Sequence, residues 1–205
     1  MKRRIDIHTI AGAGLLLAVE IVLQFIGNHV AIGPVSINLS LVPIAIAAIL
    51  YGPSIGLFIG LMCGFFVLLA PSTLAIFWPI NPIATVLICL IKTGLAGLFA
   101  GLLFKWLKRF NVTVAAVVAA LSIPVVNSGL FALGALVFYR GWLESIGGEN
   151  IFYTLFITVI GINFLFEFGV TAILSPTISR LIIYANKRSK NKFLPEEKAS
   201  ETENL

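Results

Sequence analysis

The chain has 205 residues, is 59% hydrophobic and only 11% charged, and carries a formal net charge of +5; its mean hydropathy is +1.04. A soluble domain cannot hide this much apolar surface from water, so the sequence reads as a membrane protein. The basic residues border the apolar runs rather than forming one patch, which excludes a nucleic-acid partner as the reason for the positive balance.

A bilayer core of about 30 Å takes roughly 20 apolar helical residues. The first stretch, MKRRIDIHTIAGAGLLLAVEIVLQF, resembles a signal peptide in charge and apolarity. No small-residue cleavage site precedes a polar domain, so it is expected to remain as the first span, 10–27. The second span, 36–51, is short and is separated from the third, 53–70, only by Tyr51-Gly52-Pro53-Ser54. Proline suits a helix's first position because its missing N–H has no partner to lose there, so Pro53 is expected to open the third helix. The fourth, fifth and sixth spans are expected at 82–104, 112–138 and 153–184. The fold class is therefore all-α: a polytopic bundle of six transmembrane helices over 1–186, followed by a polar, mobile tail at 187–205.

Direction follows from the lysines and arginines next to the spans. Lys2, Arg3 and Arg4 precede span one; Lys105, Lys108 and Arg109 lie between spans four and five; Lys187, Arg188, Lys190 and Lys192 follow span six. In a six-span bundle all three clusters fall on one side, which predicts cytoplasmic termini. The segments left for the other face, 28–35, 71–81 and 139–152, hold a single basic residue, Arg140. Segment 71–81, PSTLAIFWPIN, suits a structured cap. Phe77 and Trp78 in it fit either a binding role or an interfacial aromatic belt.

Polar side chains in hydrocarbon are costly and face a bundle interior or a cavity. Here they are Glu20, Gln24, Lys92, Asn127, Asn163 and Glu167, with Asn38 and Asn81 at the outer ends of their helices. Glu20 with Gln24, and Asn163 with Glu167, have i,i+4 spacing and share a face. At about 1.5 Å per residue, Lys92 lies about 15 Å below Pro82, near the midplane. Asn163 and Glu20 come out at a similar level, and the remaining polar groups lie nearer the outside, which predicts a pocket open to the exterior. The alternative is internal glue, with Lys92 paired to Glu20 or Glu167. Interhelical hydrogen bonds contribute only about 0.6 kcal/mol, whereas a central charge costs at least about 2.5 kcal/mol, so glue is a poor reason to keep three ionisable groups.

Small residues form strips at Gly14-x-x-x-Ala18, at Gly56, Gly60 and Gly64, and at Gly97-x-x-x-Gly101, where backbones approach closely inside the bundle or a partner docks. Cys63 and Cys89 sit in apolar runs as packing material, and His8 and His29 sit at the ends of span one. No HExxH, GxSxG or Walker A sequence is present, so no catalytic residue, cofactor or metal is expected and the chain has no nucleotide site of its own.

The segments Ile37-Asn38-Leu39-Ser40-Leu41-Val42-Pro43, Leu50-Tyr51-Gly52-Pro53-Ser54-Ile55-Gly56 and Lys92-Thr93-Gly94-Leu95-Ala96-Gly97, with six spans in a small chain, resemble the S components of energy-coupling-factor (ECF) vitamin transporters of prokaryotic cell membranes. The resemblance implies a vitamin taken from outside in a pocket capped by the loops between spans one and two and spans three and four. It also implies a membrane scaffold, the T component, and two ATP-binding-cassette ATPases as partners, with Gly14 and Ala18 in the place of the family's small-residue docking strip. The stretch Pro34-Val35-Ser36-Ile37-Asn38 and the loop Phe77-Trp78-Pro79-Ile80-Asn81-Pro82 look most like the pantothenate-type members.

Substrate-binding candidates are Asn38, Phe77, Trp78, Asn81, Lys92, Asn127, Asn163 and Glu167. Lys92 supplies a cation for a carboxylate, the asparagines supply amide donors and acceptors, and the aromatic pair offers stacking faces that suit riboflavin, the main rival. A proton- or ion-coupled carrier with Glu20 and Glu167 as relay groups, or a structural subunit without a ligand, are the other classes these residues allow.

Overall fold

A computed structural model describes residues 7–28, 31–32, 35–36, 38–147 and 150–191. Helix α1 (Ile7–Asn28) leads into a small antiparallel hairpin, β1 (Ala31–Ile32) with β2 (Val35–Ser36), in which Ala31 faces Ser36 and Ile32 faces Val35. Helices α2 (Leu41–Tyr51), α3 (Pro53–Leu68), α4 (Pro82–Leu107) and α5 (Val112–Phe138) follow. Then come a short α6 (Arg140–Gly147), a single turn α7 (Ile151–Tyr153) and the long α8 (Gly161–Asn191). Two π-helical turns, Thr73–Phe77 and Thr154–Val159, interrupt the α pattern.

Four stretches are long and apolar enough to cross a membrane: Thr9–Asn28, Pro82–Leu107, Val112–Phe138 and Ile151–Ile182. Their large apolar side chains point outward, with Leu15, Phe25, Ile83, Leu133 and Ile173 all more than 60% exposed, while Glu20, Gln24, Lys92, Asn127 and Glu167 are buried. This inverted arrangement fits lipid outside and polar contacts inside. Helix α2 departs from expectation. It starts at Leu41 rather than 36, and its 11 residues make about 16 Å, roughly half a hydrocarbon core. It is apolar on every face and packs against α1, α3, α4, α5 and α8, so it is an interior helix.

Helix boundaries follow local chemistry. Gly52 carries φ +102°, a left-handed conformation that glycine adopts without strain, and Pro53 opens α3 at once. Asn81 caps α4 by accepting from the Ala84 N–H at 3.1 Å, and Asn111 caps α5 by accepting from the Thr113 and Val114 N–H groups at 2.9 and 3.1 Å. Pro124 inside α5, about one turn before Asn127, has no N–H to donate to the Ala120 carbonyl. Helix α8 runs to Asn191, into the segment expected as tail. The rest of the expected tail, the N-terminal basic cluster, His29 and Lys192 lie outside the described residues, as does the His8 side chain.

Helices α3 and α4 form the most extensive helix pair. A Cβ on Gly56 would lie 2.6 Å from the Gly97 carbonyl oxygen, and one on Gly101 would lie 2.6 Å from the Pro53 Cα, so two of the three small-residue strips bring these backbones together. The strip on α1 does not: Gly14 and Ala18 are exposed, and nothing lies within 4 Å of a Cβ built on Gly14.

Candidate functional site

The buried apolar residues divide into two clusters. One is rich in alanine and isoleucine from α2 to α5 and α8; the other is built on Phe77, Phe131, Tyr139, Leu143 and Leu155. A cavity lies where the clusters meet, with Val67 and Cys89 from the first and Phe77, Phe131 and Tyr139 from the second in its wall. The walls enclose about 680 Å³ including the mouth, of which about 50 Å³ is accessible to the centre of a water molecule.

The wall is built from the ends of elements that meet at one pole of the bundle. Helix α4 contributes its first three turns through Thr85, Cys89 and Lys92, α5 its last half through Asn127, Ser128, Phe131 and Tyr139, and α8 its start through Asn163 and Glu167. The 108–111 turn lies at the opposite end of both α4 and α5. Each π-helical turn borders the void: Thr73 and Phe77 from the first, Val159 and the following Ile160 from the second. An extra residue per turn re-aims side chains, and such turns recur at functional sites.

Lys92 is 7% exposed, and its Nζ stands 5.0 Å from the centre of the Phe131 ring, a cation–π arrangement. Among the described residues the one ion pair within 4.0 Å is Arg140 with Glu144 on the surface, so no carboxylate pairs directly with Lys92. The alternative reading, a direct pairing of Lys92 with Glu20 or Glu167 as internal glue, has no such pair within 4.0 Å among the described residues.

Glu167 is held by its neighbours instead. The Asn38 backbone N–H donates to its Oε1 at 3.0 Å, and the Asn127 side chain and Lys92 ammonium also act on it. Asn127 Oδ1 has no hydrogen-bond partner among the described residues. Asn163 donates to the Val159 carbonyl of the adjoining π turn at 3.4 Å.

Beneath this wall the segment around Asn38 is tied to α1. Ser40 Oγ lies 2.8 Å from Gln24 Oε1 and against Asn38 Oδ1, and Gln24 Nε2 donates to Asn28 Oδ1 at 2.7 Å. Glu20 sits beside Ser40 and Cys63, fully buried, yet neither carboxylate oxygen has a hydrogen-bond partner among the described residues. It is not part of the cavity wall, although Gln24, one turn further on, is.

Six of the eight binding candidates thus share one void: Asn38, Phe77, Lys92, Asn127, Asn163 and Glu167. Two do not. Asn81 uses its side-chain oxygen as the cap of α4, and Trp78 is 40% exposed on the outer side of the turn that carries Phe77 inward.

Residues the sequence did not single out complete the site. Thr85 Oγ1 and Tyr139 Oη lie 2.7 Å apart, and Thr85 also donates toward the carbonyls of Phe77 and Asn81, at 3.0 and 2.8 Å. Phe77 makes ring contacts with Phe131, Tyr139 and Trp142. Thr85, Ser128, Phe131 and Tyr139 are ordinary residues of apolar helices, and no sequence signal sets them apart from packing. Helix α6 offered one: RGWLESIG alternates polar and apolar residues at helical spacing, and it buries Leu143 against the aromatic cluster.

The family model described as ECF transporter, substrate-specific component, matches residues 8–179. The chain belongs to this family. As an S component it is an integral membrane protein and a transporter subunit rather than an enzyme; membership implies a vitamin substrate and, in general, a T component and ATPases as partners. Comparison with curated proteins gave no match.

Proposed function

We propose that this S component captures a carboxylate-bearing vitamin, pantothenate being the best fit, from the extracytoplasmic side of a prokaryotic cell membrane and delivers it inward with a T component and two ATPases. The observation that carries the substrate class is Lys92: a buried ammonium that faces a void and has no carboxylate within 4.0 Å among the described residues. Glu167 acts on this cation only from beyond 4.0 Å, which leaves the ammonium free to make a direct charge-assisted hydrogen bond to a ligand carboxylate. Asn127 Oδ1, which has no hydrogen-bond partner among the described residues, favours a ligand with a hydroxyl or amide donor, both of which pantothenate has.

Riboflavin fits less well. Phe77 is already engaged by three neighbouring rings and Trp78 is outside the wall, so neither offers a free stacking face. A proton relay through Glu20 and Glu167 is also disfavoured, since Glu20 lies outside the cavity wall that contains Glu167.

Topology supports the direction of capture. The cavity occupies the pole opposite Lys105, Lys108 and Arg109, so an N-in, C-in orientation places it on the outside. Ligand sites run to roughly 300–1,000 Å³, so entry of a vitamin requires the cap of 71–81 and α6 to part. Exposed Gly14 and Ala18 on α1 remain the candidate contact for the T component.

The test is calorimetry on the purified chain with a vitamin panel. Parent protein is expected to bind pantothenate, and Lys92→Ala to weaken it roughly 10- to 150-fold, the equivalent of about 1.5 to 3 kcal/mol for a hydrogen bond to a charged group. Equal affinity in a folded variant would remove Lys92 from the site.

A further inference from the structure

At the pole away from the cavity, the end of α4 carries a groove lined by Leu102, Lys105, Trp106 and Arg109. Leu102, Lys105 and Trp106 stand at i, i+3 and i+4 on one face of α4, and Arg109 follows in the turn just past its end. Arg109's guanidinium lies 5.3 Å from the Trp106 ring centre and 4.9 Å from that of Phe110, so two aromatic rings hold its planar fork. Leu102, Trp106 and Phe110 are 50%, 56% and 74% exposed, and the outward face continues into Phe99 on α4 and Val114 on α5. Lys108 adds a third cation in the same turn, and no aspartate or glutamate occurs anywhere from 93 to 143. None of these groups takes part in the vitamin site.

The geometry points to a binding site for the headgroup phosphate of an anionic membrane phospholipid. The surface has the two halves such a lipid needs, in the correct order along the helix. Leu102 and the Trp106 ring offer an apolar wall for the first acyl carbons on the hydrocarbon side. Lys105, level with Trp106, and Arg109, in the turn beyond it, line the same groove and supply its cations. Arginine's fork matches phosphate oxygens in pairs, and here the rings restrict its rotation before binding. Tryptophan at this depth is ordinary interfacial anchoring. The distinguishing feature is the pairing of a ring-held guanidinium with a second cation nearby and, among the described residues, no carboxylate within 4.0 Å of either. A protein partner is a less economical occupant, because the exposed apolar wall beside the groove belongs to helices long enough to lie in lipid.

Native mass spectrometry of the full chain in detergent, titrated with phosphatidylglycerol or phosphatidylcholine of identical acyl chains, tests the assignment. The parent is expected to retain phosphatidylglycerol about tenfold more tightly, in line with a modest gain for each basic residue near an anionic headgroup. The double variant Lys105→Gln, Arg109→Gln should lose that preference, and Arg109→Lys, which keeps the charge but loses the fork and the stacking, should lose part of it. Pantothenate affinity, read in parallel, should stay unchanged and so report correct folding. Equal retention of the two lipids by the parent overturns the proposal, as does a preference that survives the double variant. Displacement of the lipid preference by millimolar inorganic phosphate would show an anion site without lipid character. Loss of T-component assembly in the double variant with unchanged lipid preference would assign the groove to a protein contact.

Discussion

Lys92 and Glu20 are both ionisable and both buried, yet they occupy different environments. Lys92 faces a void and a ring. Glu20 is fully buried among Ser40, Cys63 and the α1 backbone face, outside the wall. Around Ser40 the oxygens of Gln24, Asn38 and Glu20 outnumber the hydrogens present to share among them. Glu20→Gln places an amide N–H₂ in this acceptor-rich cluster and removes a group whose charge is costly to bury. The expected result is a melting temperature in detergent equal to or above that of the parent, with pantothenate affinity within twofold. A lower melting temperature would show that the carboxylate itself holds α1 to α2. Lys92→Ala is the converse case, where binding falls and melting changes little.

At the scale of elements, three strips that look alike in sequence have two physical uses. Gly56 and Gly97 face each other across α3 and α4, so Gly56→Leu must force those backbones apart and is expected to lower stability by about 1 to 3 kcal/mol, read as a fall in melting temperature. Gly14→Leu meets open space and should leave melting and vitamin binding unchanged, while blocking co-purification with the T component. Loss of binding in Gly14→Leu would instead assign that strip to internal packing. The cap is likewise an assembly of elements. The Thr85–Tyr139 hydroxyl pair ties α4 to the end of α5, and Phe77 joins the 71–81 turn to α6 through Trp142. The cap therefore shares atoms with the cavity wall.

For the whole molecule, the S-component reading requires that capture and transport be separable. The isolated chain in detergent or vesicles should bind pantothenate reversibly without ATP and without a proton gradient, and should accumulate none of it. Uptake driven by a proton gradient in vesicles containing this chain alone would identify an autonomous carrier instead.

Composition alone fixed membrane residence, because an excess of apolar residues leaves no soluble alternative. Proline, glycine and asparagine fixed most helix boundaries, since Gly52-Pro53, Asn81-Pro82 and Asn111 each act through their own backbone and immediate neighbours. Polar outliers in apolar runs supplied six residues of the cavity wall, Gln24, Asn38, Lys92, Asn127, Asn163 and Glu167, because hydrocarbon tolerates them only facing inward. The sequence did not say which asparagine would be a cap and which a wall, nor that Thr85, Phe131 and Tyr139 meet at the void. Helices apolar on nearly every side carry little periodic signal to mark an inward face, so that choice was left to packing. The two π turns, which put Phe77 and Val159 in the cavity wall and leave Trp78 outside it, carry no mark in the sequence and were decided by the tertiary structure.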